Sequence, residues 1–297
     1  MAGGRKLAVL LARQGVALPP ITVHRVLVRH GLVGPEPGQQ CAPQHFCRAE
    51  PNGLWQLDFK GHYQLAAGRV YPLSLLDDHS RFLVGLWALN GKATEMVQGA
   101  LAGLFRRLGV PTAMLMDHGD PWWGSANGWG LSRLSVWLMK HDIQLLHGRI
   151  AHPQTQGKVE RFHRTLKERT RHAGEPQSLA GWQSWAREFR TEYNELRPHQ
   201  ELAMATPASC WSKVNLRPYQ PQPPAWDYGG ALVGRIDALG HLSWRGRRWF
   251  VCEALVGEWV RVDEVEGRLL VTFRRTTLRE IDLRAGTSKA VVLRDKV

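Results

Sequence analysis

The spacing of apolar residues near the N-terminus predicts two short helices. Leu7, Leu10 and Leu11 recur at the helical interval, and a second helical pattern follows Pro20 and ends at Gly31. Proline is favoured in the first turn of a helix, where its missing amide hydrogen costs nothing, and glycine commonly follows the last turn. The pattern therefore predicts a helix, a turn and a second helix at the start of the chain.

The pattern changes at residue 51, where short apolar runs replace the helical spacing. The runs LWQLDFKG, VYPLSLLDD and RFLVGLWAL predict three strands, and they are followed by helix, strand, helix, strand, helix and helix. A three-stranded meander that leads into alternating helices and strands is the order of the ribonuclease-H-like fold. We therefore predict an α/β core over residues 51–212, in which helices flank a mixed five-stranded sheet.

Two stretches rich in proline and polar residues separate this core from its neighbours. Residues 35–50 and 213–226 are predicted to be linkers. Beyond the second linker, short strand-like runs alternate with glycine turns, which predicts a small β-barrel over residues 227–297. The helical pair at residues 1–34 is the remaining predicted domain.

The charge of the chain indicates a partner. The 297 residues carry a formal net charge of +13, which is spread along the chain and not confined to one tail. Such a charge favours a polyanion such as nucleic acid, although a solvated basic surface without a partner stays open as the alternative. The hydrophobic fraction of 43% is ordinary for a globular protein.

The sequence carries no signal for export or for a membrane. The N-terminal apolar run is short and is broken by Arg13, no stretch is apolar enough to span a bilayer, and the four cysteines form no dense framework. We therefore expect a cytoplasmic protein without membrane partners.

Basic residues on the second N-terminal helix make residues 1–34 a candidate DNA-binding unit. Arg25 and Arg29 lie about one turn apart on this helix, and helix-turn-helix domains place such a second helix in the major groove. A plain helical hairpin is an equal alternative from the pattern alone. We expect the unit to be partial because it is so short.

Three acidic residues occupy positions that favour a functional role. Asp58 lies in the middle of an apolar strand, where an uncompensated charge is costly. Asp117 ends a later strand, where α/β proteins commonly place their sites, and Glu160 falls in the first turns of a long helix. In a ribonuclease-H-like sheet the first and fourth strands are neighbours and the helix packs across them, so the three carboxylates can converge.

Carboxylates in such a group suit Mg²⁺ or Mn²⁺, which prefer carboxylate, water and phosphate oxygens. Two such ions, about 3.5–4 Å apart, activate an attacking oxygen and stabilise a leaving oxygen in phosphoryl transfer. We therefore predict that Asp58, Asp117 and Glu160 are metal ligands and catalytic residues, and that two ions bind.

The three acids lie within longer motifs. These are PNGLWQLDFKG, YPLSLLDDHSRFLVG, MDHGDPWWG, and above all HPQTQGKVERFHRTLK followed by YNELRPHQELAMATP. In these motifs the chain resembles the integrase-core DDE transposases of bacterial insertion sequences, a superfamily shared with retroviral integrases. The resemblance places the family's acidic triad on Asp58, Asp117 and Glu160, and it implies a metal-dependent enzyme that cuts and joins DNA strands.

The resemblance also implies DNA contacts on the long helix. In the family, basic residues one and two turns after the glutamate approach the DNA end, and here these are Arg164 and Lys167. Ordinary helix-surface charge is the alternative. Further candidates are Lys158 and Arg161 on the helix, Gln154 and Gln156 in the loop before it, and Arg247 and Arg248 in a basic C-terminal hairpin.

The chain departs from the family pattern at two places. The usual Asp-Asn-Gly is Asp117-His118-Gly119 here, and the interval from Asp117 to Glu160 is longer than is common. We expect the extra length in the loop WWGSANGWG. Its tryptophans can stack on bases or pack on the protein's own surface, and the second interpretation is favoured.

Zinc is not expected. His24, His30, Cys41 and Cys47 occur in the order of the zinc-binding domain of retroviral integrases, but their spacings do not form the usual ligand pairs. For His163, a hydrogen-bonded structural role is favoured over a role as a ligand or a base contact.

The sequence therefore predicts a transposase or integrase that cuts double-stranded DNA at transposon ends and transfers the strands into target DNA. We expect it to act as a homo-oligomer in the bacterial cytoplasm, in association with the nucleoid. Two alternatives stay open, namely a catalytically silent DNA-binding relic of a mobile element and a plain ribonuclease-H-like nuclease. The intact acids speak against the first, and the HPQTQGKVERFHRTLK segment speaks against the second.

Overall fold

The computed structural model describes residues 3–32, 47–124, 130–147 and 157–291. Its α-helices are α1 (Gly4–Arg13), α2 (Pro20–Arg29), α3 (Thr94–Leu108), α4 (Arg133–Lys140), α5 (Gly157–Ala173), α6 (Leu179–Thr191) and α7 (Pro207–Cys210). Its strands are β1 (Trp55–Phe59), β2 (Tyr63–Leu65), β3 (Gly68–Asp77), β4 (Leu83–Leu89), β5 (Ala113–Met116), β6 (Gln144–His147), β7 (Val233–Arg235), β8 (His241–Trp244), β9 (Arg247–Phe250), β10 (Trp259–Val265), β11 (Arg268–Phe273), β12 (Thr276–Asp282) and β13 (Thr287–Ala290). A π-helical turn at Glu192–Leu196 continues α6.

The chain forms two compact units, each built from two separate stretches. The first unit contains Met1–Gly91 and Pro153–Leu216, and the second contains Lys92–His152 and Arg217–Val297. The predicted core of residues 51–212 therefore contributes to both units, and the domain boundaries proposed from the sequence stay a prediction.

The two predicted N-terminal helices are present as α1 and α2. Pro20 occupies the first turn of α2, and the helices share a small apolar core that includes Val23 and Leu27. At Gly4 an added Cβ would come within 3.0 Å of the His24 Cβ, so the missing side chain permits the close approach of the helices. Recognition of DNA by this pair stays a prediction.

Four antiparallel strands of the first unit hold the first predicted catalytic residue. β3 pairs with β1, with β4 and, at its start, with β2. In this register Asp58 of β1 lies opposite Ser74 of β3. The sequence pattern missed β2, because a strand of three residues with an exposed Gln64 at its centre is too short to show an alternation.

Helices α5 and α6 pack on these strands around an apolar cluster. Phe162 and Leu166 of α5 meet Phe189 of α6 and Leu83 of β4, and all four are almost fully buried. Trp182 of α6 also belongs to the core, since it is 1% exposed. The cluster fixes the orientation of α5 and hence the direction of its first turn.

The second unit contains a parallel pair of strands. Ala113 of β5 lies opposite Gln144 of β6, and α4 connects the two strands. The structure therefore contains both the antiparallel and the parallel strand pairs of a mixed sheet. Six strands precede α5, whereas the sequence predicted five.

The C-terminal stretch of the second unit packs on α3 and α4. The ring of Tyr219 lies 5.7 Å from that of Phe105 and 4.9 Å from that of His141, measured between centroids. Lys140 at the end of α4 forms a 2.7 Å ion pair with Glu258. The residues after 216 thus cover a face of the helices that precede them.

Beyond residue 226 the described chain is built of strands, as predicted. Five strands form an antiparallel sheet in the order β13-β12-β11-β10-β7, and β8 and β9 form a hairpin. The described pairings do not close this sheet on itself, so the barrel stays a prediction. Within the described residues, no helix combines the length and the apolar character that a membrane crossing requires.

Candidate active site

The carboxylate of Asp58 lies where β1, β3 and α5 meet. Its side chain is 18% exposed, although the strand around it is largely buried. The Ser74 hydroxyl lies 3.3 Å from the Asp58 carbonyl oxygen and 2.6 Å from Nε2 of His163. The second ring nitrogen of His163, Nδ1, lies 3.5 Å from Oδ2 of Asp58. His163 of α5 therefore lies beside the carboxylate, and Ser74 of β3 contacts the backbone of the same residue.

The imidazole of His163 is neutral. Burial, followed by the charge of Lys60, lowers the pKa of His163 to about 3. A neutral ring can hold Asp58 and Ser74 through polar contacts, but it adds no positive charge beside the carboxylate. The geometry favours the structural, hydrogen-bonded role that the sequence suggested for His163.

The carboxylate of Asp117 directly follows β5 and is oriented by two donors. Its Oδ1 accepts hydrogen bonds from the Gly119 backbone N–H at 2.9 Å and from the Trp122 indole N–H at 2.6 Å. A Cβ at position 119 would come within 3.0 Å of the same oxygen, which explains why glycine suits this turn. Trp122 is 1% exposed, so the donor is held rigidly. The sequence pattern did not indicate Trp122 as part of the site.

A cluster of three rings lies beside Asp117. The Trp123 ring centroid lies 4.3 Å from that of His118 and 4.7 Å from that of His147. Nδ1–H of His147 donates to the Asp117 carbonyl oxygen at 3.2 Å, and burial lowers the pKa of His147 to about 4. Both tryptophans at the start of the loop thus pack on the protein itself, which is the interpretation favoured from the sequence. Residues 125–129 of this loop lie outside the described residues.

Glu160 lies in the first turn of α5, and its side chain is exposed. The buried residues Val159 and Phe162, 0% and 1% exposed, fix the helix so that Glu160 faces outward. Arg164 and Lys167 follow one and two turns later and are exposed as well. The helix thus presents one carboxylate and two cations along an exposed surface.

A buried acid that the sequence analysis did not single out anchors the start of α5. The Asp78 carboxylate is 0% exposed and forms a 2.6 Å ion pair with Lys158. It also accepts hydrogen bonds from the Gln56 side chain at 2.8 Å and from the Arg48 backbone N–H at 2.7 Å. A buried charge is tolerated when it is paired and hydrogen-bonded in this way. The available signal was the tandem Asp77-Asp78 at the end of an apolar strand.

The predicted DNA contact of Lys158 stays a prediction, and the structure places this side chain in the ion pair with Asp78. The Lys158 side chain is only 10% exposed, and its Nζ also donates to the Asp78 carbonyl oxygen at 3.1 Å. Burial lowers the pKa of Lys158, while the charge of Asp78 raises it. A DNA contact of Lys158 would share its ammonium between a phosphate and Asp78.

The other predicted DNA contacts lie on separate elements. The exposed ones are Arg25 and Arg29 on α2, Arg161, Arg164 and Lys167 on α5, and Arg247 and Arg248 on β9. Arg248 also forms an ion pair with Asp237. Gln154 and Gln156 lie outside the described residues, so nothing is added to their prediction.

The three predicted metal ligands are divided between the two units. Asp58 and Glu160 belong to the first unit, and Asp117 belongs to the second. In the described part of the chain, no group of three or more His, Cys, Asp or Glu side chains is positioned to hold a metal ion. Hard carboxylate donors that reach solvent, as Asp58 and Glu160 do, nevertheless fit Mg²⁺ or Mn²⁺. The shared metal site is therefore a proposal.

The cysteines considered for zinc lie near the start of the first unit. Cys41 is outside the described residues. Sγ of Cys47 lies 3.7 Å from the Asp78 carbonyl oxygen, so this thiol packs on the turn that anchors α5.

Two family models match the chain, and both are described as an integrase core domain. One matches residues 48–153, which include Asp58 and Asp117. The other matches residues 141–207, which include Glu160. Together they cover more than half of the chain.

Proteins of insertion elements and a retrovirus are similar to this chain. An uncharacterized 39.2 kDa protein of insertion element IS476 from Xanthomonas euvesicatoria is 26% identical over 160 residues, which are 53% of this chain and 44% of that protein. An uncharacterized 31.7 kDa protein of insertion element IS407 from Burkholderia multivorans is 24% identical over 221 residues, or 71% and 76% of the two chains. The Gag-Pro-Pol polyprotein of simian retrovirus SRV-2 is 33% identical over 117 residues, or 39% and 6%. The chain thus spans less than half of the IS476 protein.

Solved structures of retroviral integrases are also similar. The chain in a simian T-cell lymphotropic virus intasome, in complex with a PP2A regulatory subunit, matches 89% of this chain and 87% of its own length, at 16% identity and a TM-score of 0.47. The catalytic core domain of BIV integrase matches 53% and 92%, at 21% identity and a TM-score of 0.40. On the two core-domain matches and the insertion-element relatives, the chain belongs to the integrase-core family of insertion-element proteins.

Proposed function

We propose that the protein cuts DNA strands at the ends of a mobile element and joins them to target DNA, as a DDE-type transposase. The observation that carries the proposal is the placement of three acids within the matched core domains. Asp58 lies in a strand, Asp117 directly follows a strand, and Glu160 lies in the first turn of a helix. Asp58 and Asp117 also have polar neighbours that hold them in position.

Asp58, Asp117 and Glu160 would together hold Mg²⁺ or Mn²⁺, as two ions. Bound ions of this kind supply charge for the transferred phosphate and make a bound water or hydroxyl a better nucleophile. The protein's own part is orientation. His163 and Ser74 hold Asp58 in position, and the Trp122 indole does so for Asp117.

The proposed chemistry consists of two displacements at phosphorus. In the first, a water oxygen attacks the phosphodiester at the end of the element, and the 3′-oxygen leaves and takes up a proton. In the second, the resulting 3′-hydroxyl gives up its proton and attacks a target phosphodiester, whose own 3′-oxygen leaves. One phosphodiester bond forms as another breaks, so the joining step needs no nucleotide and no covalent bond to the enzyme.

Basic residues would hold the DNA beside the acids. Arg164 and Lys167 share the exposed surface of α5 with Glu160, and arginine binds phosphate oxygens through paired N–H donors. Further proposed contacts are Arg161, Gln154, Gln156, Arg25, Arg29, Arg247 and Arg248. Reaction at two DNA ends requires at least a dimer on double-stranded DNA, and we place this assembly on the nucleoid in the bacterial cytoplasm.

A strand-transfer assay tests the proposal. Purified protein is incubated with Mg²⁺ or Mn²⁺, supercoiled target DNA and labelled duplexes that carry the sequences flanking its gene. We expect cut and joined products from the original protein, and neither from Asp117→Asn. Asp120→Asn is the matched control, because it makes the same change at an exposed position three residues later.

Each result separates the proposal from its alternatives. Joined products that need Asp117 but not Asp120 support the transposase. DNA binding without cutting in either metal indicates the silent relic, and cutting without joining indicates a plain nuclease. Both of these results contradict the proposal.

A further inference from the structure

A cavity of about 240 Å³ in the first unit is lined by an excess of positive charge. Its cationic lining residues are Lys6, Arg81, Lys158, Arg161, Arg164 and Arg197. Among the described residues that line it, Glu201 is the single acid. We call this cavity the cationic pocket. It lies at the meeting point of α1, the β3–β4 turn, α5 and the segment that follows the π-helical turn.

Several walls of the cationic pocket are held in place by their own contacts. Lys158 is paired with Asp78, and the Arg81 guanidinium donates to the carbonyl oxygens of Asp78 and His79. Nη2 of Arg197 lies 3.5 Å from the Thr165 hydroxyl oxygen of α5. These contacts hold three of the six lining cations in place, since each contact would have to break before that charge could move away from the cavity.

The charges of the cationic pocket act on one another. Burial, followed by the charges of Arg197 and Arg161, lowers the pKa of Lys6 to about 8. Burial and the charge of Lys6 lower the pKa of His199, another lining residue, to about 3. Within the described residues, the buried Nε2 of His199 has no hydrogen-bond partner. The fold therefore places several positive charges near the Nε2 atom of His199, which has no hydrogen-bond partner within the described residues.

We propose that the cationic pocket binds a phosphate group. An anion would offset the repulsion between the cations, and arginine forks match the geometry of phosphate oxygens. A water molecule takes up roughly 30 Å³ in the liquid. The cavity of about 240 Å³ is several times larger and therefore has room for a phosphate group. Lys6 comes from α1, so phosphate binding here would recruit the N-terminal helices to the surface that α5 presents. Only the assignment of the phosphate to DNA rests on the proposed function.

Binding measurements without chemistry test the pocket, so an inactive transposase would not obscure the result. The affinity of the full chain for a linear duplex is measured between about 50 and 200 mM salt, without divalent metal. Each phosphate contact contributes about 0.9 to the slope of log affinity against log salt. We expect Lys6→Gln to lower this slope by about that amount, and Lys6→Gln combined with Arg161→Gln to lower it by about twice as much.

A second arm uses inorganic phosphate. The melting temperature of the full chain is compared in phosphate and in chloride at equal ionic strength, because a ligand that binds only the folded state raises it. We expect a rise for the original protein that is at least halved in Lys6→Gln. Arg187→Gln is the control in both arms, since it removes an exposed charge on α6 that does not line the cavity. Arg197→Lys keeps the charge but loses the fork, and its effect should lie between the two.

The two arms identify the source of the phosphate. A changed salt slope in Lys6→Gln, with the control unchanged, assigns the pocket to the DNA backbone. A changed phosphate effect with an unchanged slope assigns it to a free phosphate or a nucleotide. If Lys6→Gln behaves as Arg187→Gln does in both arms, the proposal is overturned.

Discussion

Two hydrogen-bond donors, Gly119 and Trp122, share one oxygen of Asp117. A hydrogen-bond donor to a metal-binding carboxylate fixes the rotation of that carboxylate. The loss of such a donor commonly lowers metal affinity or activity ten- to a hundredfold. The indole is buried, so water cannot readily replace its N–H.

Trp122→Phe should therefore lower the rate of strand joining roughly tenfold or more, and should raise the Mn²⁺ concentration needed for half-maximal activity. The phenyl ring fills most of the space but offers no donor. Trp123→Phe is the matched control, because that ring packs on His118 and His147. Equal losses in the two variants would show that packing matters and the hydrogen bond does not.

Buried histidines make each unit sensitive to acid. Burial is the largest cause that lowers the pKa of His199 in the first unit to about 3 and that of His141 in the second unit to about 4, from 6.5. Between the lowered pKa and 6.5, the unfolded chain binds a proton that the folded chain does not. The free energy of unfolding therefore falls as the pH drops from about 6.5 towards 4.

We expect the melting temperature to fall over this pH range, with a contribution of up to about 1.4 kcal/mol per pH unit from each histidine. His199→Gln should flatten the dependence, and replacement of the exposed His172 by glutamine should not. The measurement is thermal unfolding in buffers from pH 7.5 to about 4. A flat profile for the original protein would contradict the prediction.

The first turn of α5 depends on a single buried acid from another element. Asp78 joins Lys158 of α5, Gln56 of β1 and the backbone of Arg48. Gln56 in turn accepts a hydrogen bond from the Val159 backbone N–H at 3.4 Å. The strand that carries Asp58 and the turn that carries Glu160 are thus held by the same carboxylate, which makes it a positioning group for both.

Asp78→Asn should lower the free energy of unfolding by about 3–5 kcal/mol, because it leaves the Lys158 ammonium buried without its counter-charge. Urea unfolding measures the loss. Arg169→Gln is the control on the same helix, since it breaks an ion pair with Glu192 in which both side chains are more than two-fifths exposed. That change should cost no more than about 1 kcal/mol. Similar losses in the two variants would contradict the anchoring role.

Periodic patterns predicted most of these elements, while contacts between distant segments were not predictable. β1, β3, α3 and α5 bury continuous apolar faces, and their spacing is visible in the sequence. The position of Lys158 on an amphipathic helix suggested a DNA contact. Its partner Asp78 lies 80 positions earlier, and no local pattern indicates such a pairing. The role of Trp122 was missed for a related reason, because a tryptophan in a glycine-rich loop resembles a surface aromatic until the loop is folded.

The acids themselves were identified by chemistry and by resemblance together. Asp58 interrupts an apolar strand, and this single departure marked it. Glu160 lies among other charged residues of α5, so that only the surrounding motif distinguished it. The contacts of Asp58 with His163 and Ser74 depend on the register of β1 and β3, which the sequence does not specify.

At the scale of the whole molecule, aromatic contacts bind the C-terminal residues to α3 and α4. Tyr219 is at the centre of this contact, with the tilted rings of Phe105 and His141 beside it. Asp142 adds ion pairs to Arg217 and Arg275, at 3.2 and 3.0 Å. The ion pairs are partly exposed and contribute little, so the ring carries most of the stability.

Tyr219→Ala should lower the free energy of unfolding by about 1–3 kcal/mol, since the side chain is partly buried among rings. It should also speed limited proteolysis in the proline-rich stretch around residues 216–225. Asp142→Asn is the comparison, and it should leave the cleavage rate nearly unchanged. A faster cut in Asp142→Asn than in Tyr219→Ala would assign the contact to charge.

The discontinuous first unit has a consequence for biosynthesis. Its two stretches are separated by the residues from Lys92 to His152, and its second stretch ends at Leu216. A ribosome adds about 5–20 residues per second, so roughly 6 to 25 seconds pass between the emergence of Gly91 and that of Leu216. During the first part of that interval, until α5 has been synthesised, Asp78 lacks its partner Lys158, and the strand bearing Asp58 has no α5 to cover it. A nascent chain therefore carries no complete first unit until translation has passed Leu216.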